Sequence, residues 1–149
     1  MKKVEESDPL SPCSRHIVEK LSAELASITG DGGKRHFTLA SMEQERALWA
    51  LARDSSGNAI GCGAIRPLSE NVAELKRMFS DRSSPGIGTA LLTFLETAAK
   101  RMGYNELWLE TRRVNHRAVN FYEKNGYLQI ENYGPYAGRE EAVCFAKAL

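Results

Sequence analysis

Arg82-Ser83-Ser84-Pro85-Gly86-Ile87-Gly88-Thr89-Ala90-Leu91-Leu92 is the stretch on which the fold turns. It opens a helix from Gly86 to Met102 that carries Ile87, Ala90, Leu91, Phe94, Leu95, Ala98 and Met102 on one face and closes at Gly103. Two glycines in the first turn of such a helix each cost about 1 kcal/mol relative to alanine. A helix that keeps them has something that must come close to its backbone. The first turn leaves the N–H groups of Gly86, Ile87 and Gly88 without acceptors, Pro85 having none, and the positive end of the helix dipole adds to them. Together they form an anion site. The plainer reading is that Ser84 caps the helix, Pro85 takes its first position and the glycines are incidental. Gly-x-Gly alone does not say which anion is held, so the flanks decide.

Outward from this helix the chain alternates between two periods. Ahead of it, Ala47 to Arg53 and Ala59 to Arg66 are apolar strands joined by the turn Ser55-Ser56-Gly57-Asn58, and Val72 to Phe79 is a further strand after the loop Pro67 to Glu70. Behind it come a strand from Glu106 to Thr111, a short helix from Asn115 to Lys124 ending at Asn125-Gly126, and a last pair of strands, Tyr127 to Asn132 and Ala142 to Ala146. At the start, Lys3 to Glu6 forms a short strand. Ser14 to Ile28 then repeats Ile17, Val18, Leu21, Leu25 and Ile28 at helical spacing, with Gly30 as a stop. Asp31 to Glu45 reads as a loop with one helical turn at most. Strands joined by tight turns are antiparallel and a strand-helix-strand crossover is parallel. The expectation is an α/β (α+β mixed) fold with helices on the faces of a mixed, mostly antiparallel sheet, and a single domain over residues 1–149.

Composition excludes several classes of function. The 149 residues are 42% hydrophobic and 26% charged with a net charge of +1, which argues against a nucleic-acid binder with a basic face. The charged N-terminus is no signal peptide, and no run approaches the ~20 apolar residues of a spanning helix, so no membrane partner and a cytoplasmic location are expected. Cys13, Cys62 and Cys144 are odd in number and far apart, as free thiols are. They share no ligand spacing with His16, His36 and His116, so no metal is expected.

Two nucleotide-binding readings fit poorly. A dinucleotide fingerprint needs glycine where Leu91 stands; Glu110 supplies the acidic residue about twenty positions on, but the preceding strands form a meander. A phosphate-binding P-loop needs Gly-Lys-Ser or Gly-Lys-Thr, which is absent.

The segments Glu74-Leu75-Lys76-Arg77-Met78-Phe79, the glycine helix, and Asn115-x-x-Ala118-x-x-Phe121-Tyr122-Glu123-Lys124-x-Gly126-Tyr127 together resemble the GCN5-related N-acetyltransferase (GNAT) superfamily over roughly residues 47 to 147. The resemblance implies an acyl-CoA N-acyltransferase fold, its sheet splayed at the cofactor site, and transfer of acetyl from acetyl-CoA to a small-molecule or peptide amine by direct attack. The superfamily's phosphate loop reads Gln/Arg-x-x-Gly-x-Gly/Ala; Ser83 stands at its first position, Gly86 and Gly88 match the rest, and Arg82 lies one residue early.

By this resemblance Ser83, Ser84, Gly86, Ile87, Gly88 and Thr89 surround the diphosphate, while Met78, Phe79 and Ser80 meet the pantetheine arm or the acetyl carbonyl through their main chains. Glu74 is the candidate general base, against a strand-edge glutamate with a structural partner. Tyr122 is the candidate acid for the departing thiolate, against a core tyrosine whose hydroxyl bonds backbone. Asn115 holds pantetheine, caps its helix, or does both. Lys124 meets a CoA phosphate or is solvated. Phe94, Leu95, Met102, Trp49 and Trp108 read as packing residues, Arg112-Arg113 as a phosphate contact or a solvated pair. Tyr133 and Tyr136 are candidates to line an acceptor pocket. A CoA-binding sensor without turnover is the alternative function, and the chain is expected to be a monomer or homodimer.

Overall fold

Ser11 and Pro12 start the first helix. The Ser11 hydroxyl accepts from the Ser14 N–H at 3.2 Å, and Pro12, with no N–H to satisfy, is the first helical residue. In the computed structural model, which describes residues 3–29 and 45–149, the elements run β1 (Lys3–Glu6), α1 (Pro12–Thr29), β2 (Leu48–Arg53), β3 (Ala59–Pro67), β4 (Val72–Ser80), α2 (Ile87–Arg101), β5 (Glu106–Arg112), α3 (His116–Lys124), β6 (Leu128–Ile130) and β7 (Ala142–Ala148). A 3-10 turn, Gly134–Tyr136, lies between the last two strands. The expected loop from Asp31 onward and the Gly30 stop lie outside the described residues. Every other expected element is present, within a few residues of its expected ends.

The strands form one sheet in the order β1-β2-β3-β4-β5-β7-β6, antiparallel throughout except for the parallel pair β4–β5 that α2 connects. Alternation along each strand sends side chains to two separate cores. On one face Ile17 and Leu21 of α1 pack on Trp49, Leu51, Cys62, Ala64 and Phe79, and the Trp49 indole N–H donates to the buried Ser14 hydroxyl at 2.8 Å. On the other, Leu91, Leu92 and Leu95 of α2 and Tyr122 of α3 pack on Ile65, Leu75, Leu107, Leu109 and Phe145. The helices therefore cover both faces, α1 on one and α2 with α3 on the other.

β4 carries two irregularities. It pairs with β5 at Val72↔Glu106, Ala73↔Leu107 and Glu74↔Trp108, and then the two strands separate, β4 continuing to Ser80 beside β3 and β5 to Arg112 beside β7. Among the described residues no strand pairs with the β5-facing edge of β4 beyond Glu74. Within the same segment Gly63 of β3 faces two residues, Arg77 and Met78, in a bulge where Arg77 adopts φ 55°.

α2 approaches β3 closely because Gly61 has no side chain. A Cβ there would lie 2.7 Å from the Phe79 carbonyl oxygen and 2.8 Å from Leu91 Cδ1. Gly61→Ala is therefore expected to destabilise the fold by about 1–3 kcal/mol through overpacking. Urea unfolding checks this: the midpoint falls with an unchanged slope, whereas an unchanged midpoint would mean that α2 does not rest on β3 this closely.

Candidate functional site

The separation of β4 from β5 opens a groove of about 640 Å³. Its walls come from four places: Leu21, Glu24 and Leu25 of α1; Met78, Phe79 and Ser80 of β4; the loop 82–86 with Ile87, Gly88 and Thr89; and the cap Asn115 with Arg117, Ala118, Phe121 and Tyr122 along α3. The volume suits a small-molecule ligand, and the lining is mostly apolar with a few polar groups.

The α2 end of the groove is built from backbone. The helix begins at Ile87, and Gly86 is its cap residue, held at φ 81° in the left-handed region with no side-chain capping bond. Ser84 therefore does not cap this helix. The first intrahelical bond runs from the Ala90 N–H to the Gly86 carbonyl at 3.0 Å, so the N–H groups of Ile87, Gly88 and Thr89 have no acceptor within the helix. The second glycine answers to a different neighbour: a Cβ on Gly88 would lie 3.1 Å from Phe121 Cε1 of α3. What comes close to the backbone there within the chain is an aromatic ring that itself lines the groove.

Asn115 caps α3, its side-chain oxygen accepting from the Ala118 N–H at 3.3 Å. The oxygen is thus used, and the amide nitrogen has no partner among the described residues. Two turns on, the Tyr122 ring is buried between Phe121, Tyr127 and Phe145. Its hydroxyl bonds no backbone group among the described residues, and the residue lines the groove. Burial pushes the phenol up from its ordinary value, so it stays protonated at neutral pH.

The opposite face of β4 and β5 carries charge. Glu74 is 3% exposed, and both its oxygens are engaged. Oε1 accepts from Arg66 Nε at 3.0 Å and lies 2.9 Å from Arg66 Nη2; Oε2 accepts from the Tyr133 hydroxyl at 2.7 Å and lies 3.8 Å from Lys76 Nζ. Lys76 donates to the Tyr136 hydroxyl, and burial lowers its ammonium pKa against the pull of Glu74. Glu110 lies on the same face, two residues past the last β4–β5 pair, with its side chain 13% exposed. Burial raises its carboxyl, opposed by Lys76 and Arg112, the latter 3.9 Å away.

The structure thus brings Met78, Phe79, Ser80, Ser83, Ser84, Gly86, Ile87, Gly88, Thr89, Asn115 and Tyr122 to one groove. Glu74 lies outside it, on the charged face, and Lys124 is exposed in the last turn of α3 and does not line it. Sequence reasoning missed Arg117, one turn ahead of Phe121 on the groove side of α3. It also considered Glu110 only as the acidic residue of a dinucleotide fingerprint that fits poorly. The signal for Glu110 was an acidic residue in register with Trp108, on the face opposite Leu107 and Leu109. Among the described residues no cluster of His, Cys, Asp or Glu is placed to hold a metal, and no helix is long and apolar enough to cross a membrane.

Known proteins resemble the chain in sequence and in fold. The chain is 29% identical over 144 residues to an IAA acetyltransferase of Azospirillum brasilense, covering 95% of this chain and 94% of that one. A Klebsiella pneumoniae crystal structure assigned as an acyl-CoA N-acyltransferase superposes with a TM-score of 0.83 at 25% identity, covering 100% of this chain and 98% of the other. An Elizabethkingia anophelis GNAT acetyltransferase solved with acetyl-CoA bound has the same fold, with a TM-score of 0.73 at 16% identity over 99% of this chain and 98% of that one. Residues 17–127 match the Acetyltransferase (GNAT) family, and with that span the chain belongs to it.

Proposed function

We propose that this protein transfers the acetyl group of acetyl-CoA to a primary amine by direct attack in a ternary complex. One observation carries the reading: the uncapped start of α2, the end of β4 that β5 leaves unpaired and Tyr122 all line one groove. The N–H groups of Ile87, Gly88 and Thr89 receive the diphosphate, with the Ser83 and Ser84 hydroxyls beside them. The unpaired edge Met78–Ser80 takes the amides of the pantetheine arm as an added strand would, and the Asn115 amide nitrogen donates to them from α3. The thioester then reaches the bulge of β4 at Met78, whose main-chain N–H is the candidate to stabilise the carbonyl oxygen as it gains charge.

An alkyl amine with a pKa of about 10 arrives protonated and must lose that proton first. Of the two carboxylates at the fork, we assign this step to Glu110. Glu74 has donors on both oxygens, so its part is to hold β3, β4 and the Tyr133 turn together. Glu110 is partly exposed beyond the fork, and a carboxyl raised by burial is a stronger base near neutral pH. Tyr122, kept neutral by burial, donates to the leaving thiolate. A covalent acyl-cysteine plays no part: none of the three thiols lines the groove, and burial pushes Cys62 up to about 12.

Free-thiol release from acetyl-CoA across a library of small and peptide amines tests the whole reading. Turnover with at least one amine, saturating in acetyl-CoA, is expected. Acetyl-CoA binding without turnover by any amine would mean a sensor, and no binding would remove the cofactor assignment.

Glu110→Gln should lower kcat roughly 10²–10⁴-fold with little change in acetyl-CoA affinity. Its raised carboxyl predicts that kcat/KM of the unsubstituted protein rises with pH through a value above the ~4.3 of an ordinary glutamate, and the substitution should abolish that limb. Glu74→Gln should instead lower stability by about 3–5 kcal/mol, by leaving a buried partner charge poorly matched. A variant at Glu110 with normal kcat, or one at Glu74 with normal stability and lost turnover, would reverse the assignment.

Tyr122→Phe removes one hydroxyl and keeps the ring contacts. A thiolate departs unaided at a modest rate, its pKa being near ~8.5 by analogy with cysteine, so kcat should fall roughly tenfold to a thousandfold. Stability and cofactor affinity should hold. Unchanged turnover where chemistry limits the rate would exclude Tyr122 as the acid.

A further inference from the structure

Among the described residues lining the groove, Glu24 is the one acidic side chain, beside the cations Arg82 and Arg117 in the same lining. An acid in a cleft built for a polyanion calls for a reason. Glu24 sits on α1, and Arg82 on the loop between β4 and α2; Arg82 Nη2 donates to Glu24 Oε1 at 2.6 Å, joining two walls of the groove. The loop holds the arginine in place: Arg82 adopts φ 61°, its N–H donates to the Ser80 hydroxyl at 3.1 Å, and Nη1 donates to the Ser80 carbonyl at 3.3 Å. The nearby Asp81 carboxylate is taken by the Ser83 N–H at 2.9 Å, which leaves Glu24 as Arg82's carboxylate.

We propose that Glu24 is a built-in counter-anion that occupies Arg82 until a phosphate group of the ligand displaces it, and so sets how tightly the groove holds its cofactor. The proposal rests on the reading of the groove as a CoA site. Arg82 lies four residues ahead of Gly86 and the open amides of α2, so an anion seated there is a second candidate partner for the guanidinium. A phosphate offers the planar fork two oxygens and more charge than a carboxylate does. The side chains of the pair are 44% and 29% exposed, and an ion pair that wet is easily broken. Once phosphate holds Arg82, the Glu24 carboxylate faces like charge and has lost its partner. Glu24 therefore weakens binding while neutralising Arg82 in the empty groove and keeping its two walls tied.

Calorimetric titration with CoA of the unsubstituted protein, Glu24→Gln, Arg82→Gln and the double variant tests this. Neither substitution touches the core, and glutamine matches glutamate in helix propensity, so all four should fold alike. Glu24→Gln should bind CoA about threefold to tenfold more tightly, and Arg82→Gln roughly tenfold more weakly. In the Arg82→Gln background the gain from Glu24→Gln should shrink, because the competition has no object and only the repulsion from phosphate is relieved. An unchanged or lower affinity in Glu24→Gln, or a full gain in the double variant, would overturn the proposal. Failure of the unsubstituted protein to bind CoA would instead overturn the CoA reading beneath it.

Discussion

The parting of β4 from β5 after the Glu74–Trp108 pair is the constraint on which the rest of the structure depends. Above that pair the sheet is continuous and both faces are packed with apolar side chains; below it the two strands part, and each is kept in place by its outer neighbour alone. The fork is fastened where it opens. Glu74, the last residue of β4 paired with β5, binds Arg66 of β3 and the Tyr133 hydroxyl, which comes from the turn after β6. On the other face, α2 comes down onto β3 at Gly61, which sets its first turn beside the end of β4. An open strand edge and an open helix start are each costly to leave without partners, and here they face the same space. A ligand with an extended amide arm and a polyanionic head would satisfy both.

Two regions around the fork divide the chemistry. On the groove side the polar groups are main-chain amides, hydroxyls and the Asn115 amide, with Arg82 and Arg117 as cations. On the other side Arg66, Glu74, Lys76 and Glu110 form a half-buried charge cluster roofed by Tyr133 and Tyr136. Tyr122 joins the layers: its ring belongs to the core between sheet and helices, while the residue also lines the groove. A donor arriving through the groove and an amine arriving over the charged face would meet at the gap between the strands.

Much of this was legible in the sequence, because the signals were local. The apolar stripe of α2, the hairpin turn before Ala59 and the Asn115 cap each depend on residues a few positions apart, and each element lies where its pattern put it. What was not legible depended on distant partners. Nothing in the order of residues says that Glu74 is held by Tyr133, 59 positions away, while Glu110 is left partly open. Ser84-Pro85 reads as a helix start on propensity alone, yet the left-handed Gly86 displaces it. Gly88 reads as a place for a ligand, and its nearest neighbour in the fold is Phe121. Tyr122 lines the groove and Lys124, two residues on, does not, because residues two apart project from different sides of a helix.

The claim at the centre is that the start of α2 receives the charged head of CoA. Backbone amide shifts of 15N-labelled protein during titration with CoA test it most directly, since they report on the N–H groups themselves. The largest downfield proton shifts are predicted at Ile87, Gly88 and Thr89, with smaller ones along Met78–Ser80 and at Asn115. Saturable binding that left those three amides unmoved would contradict the account.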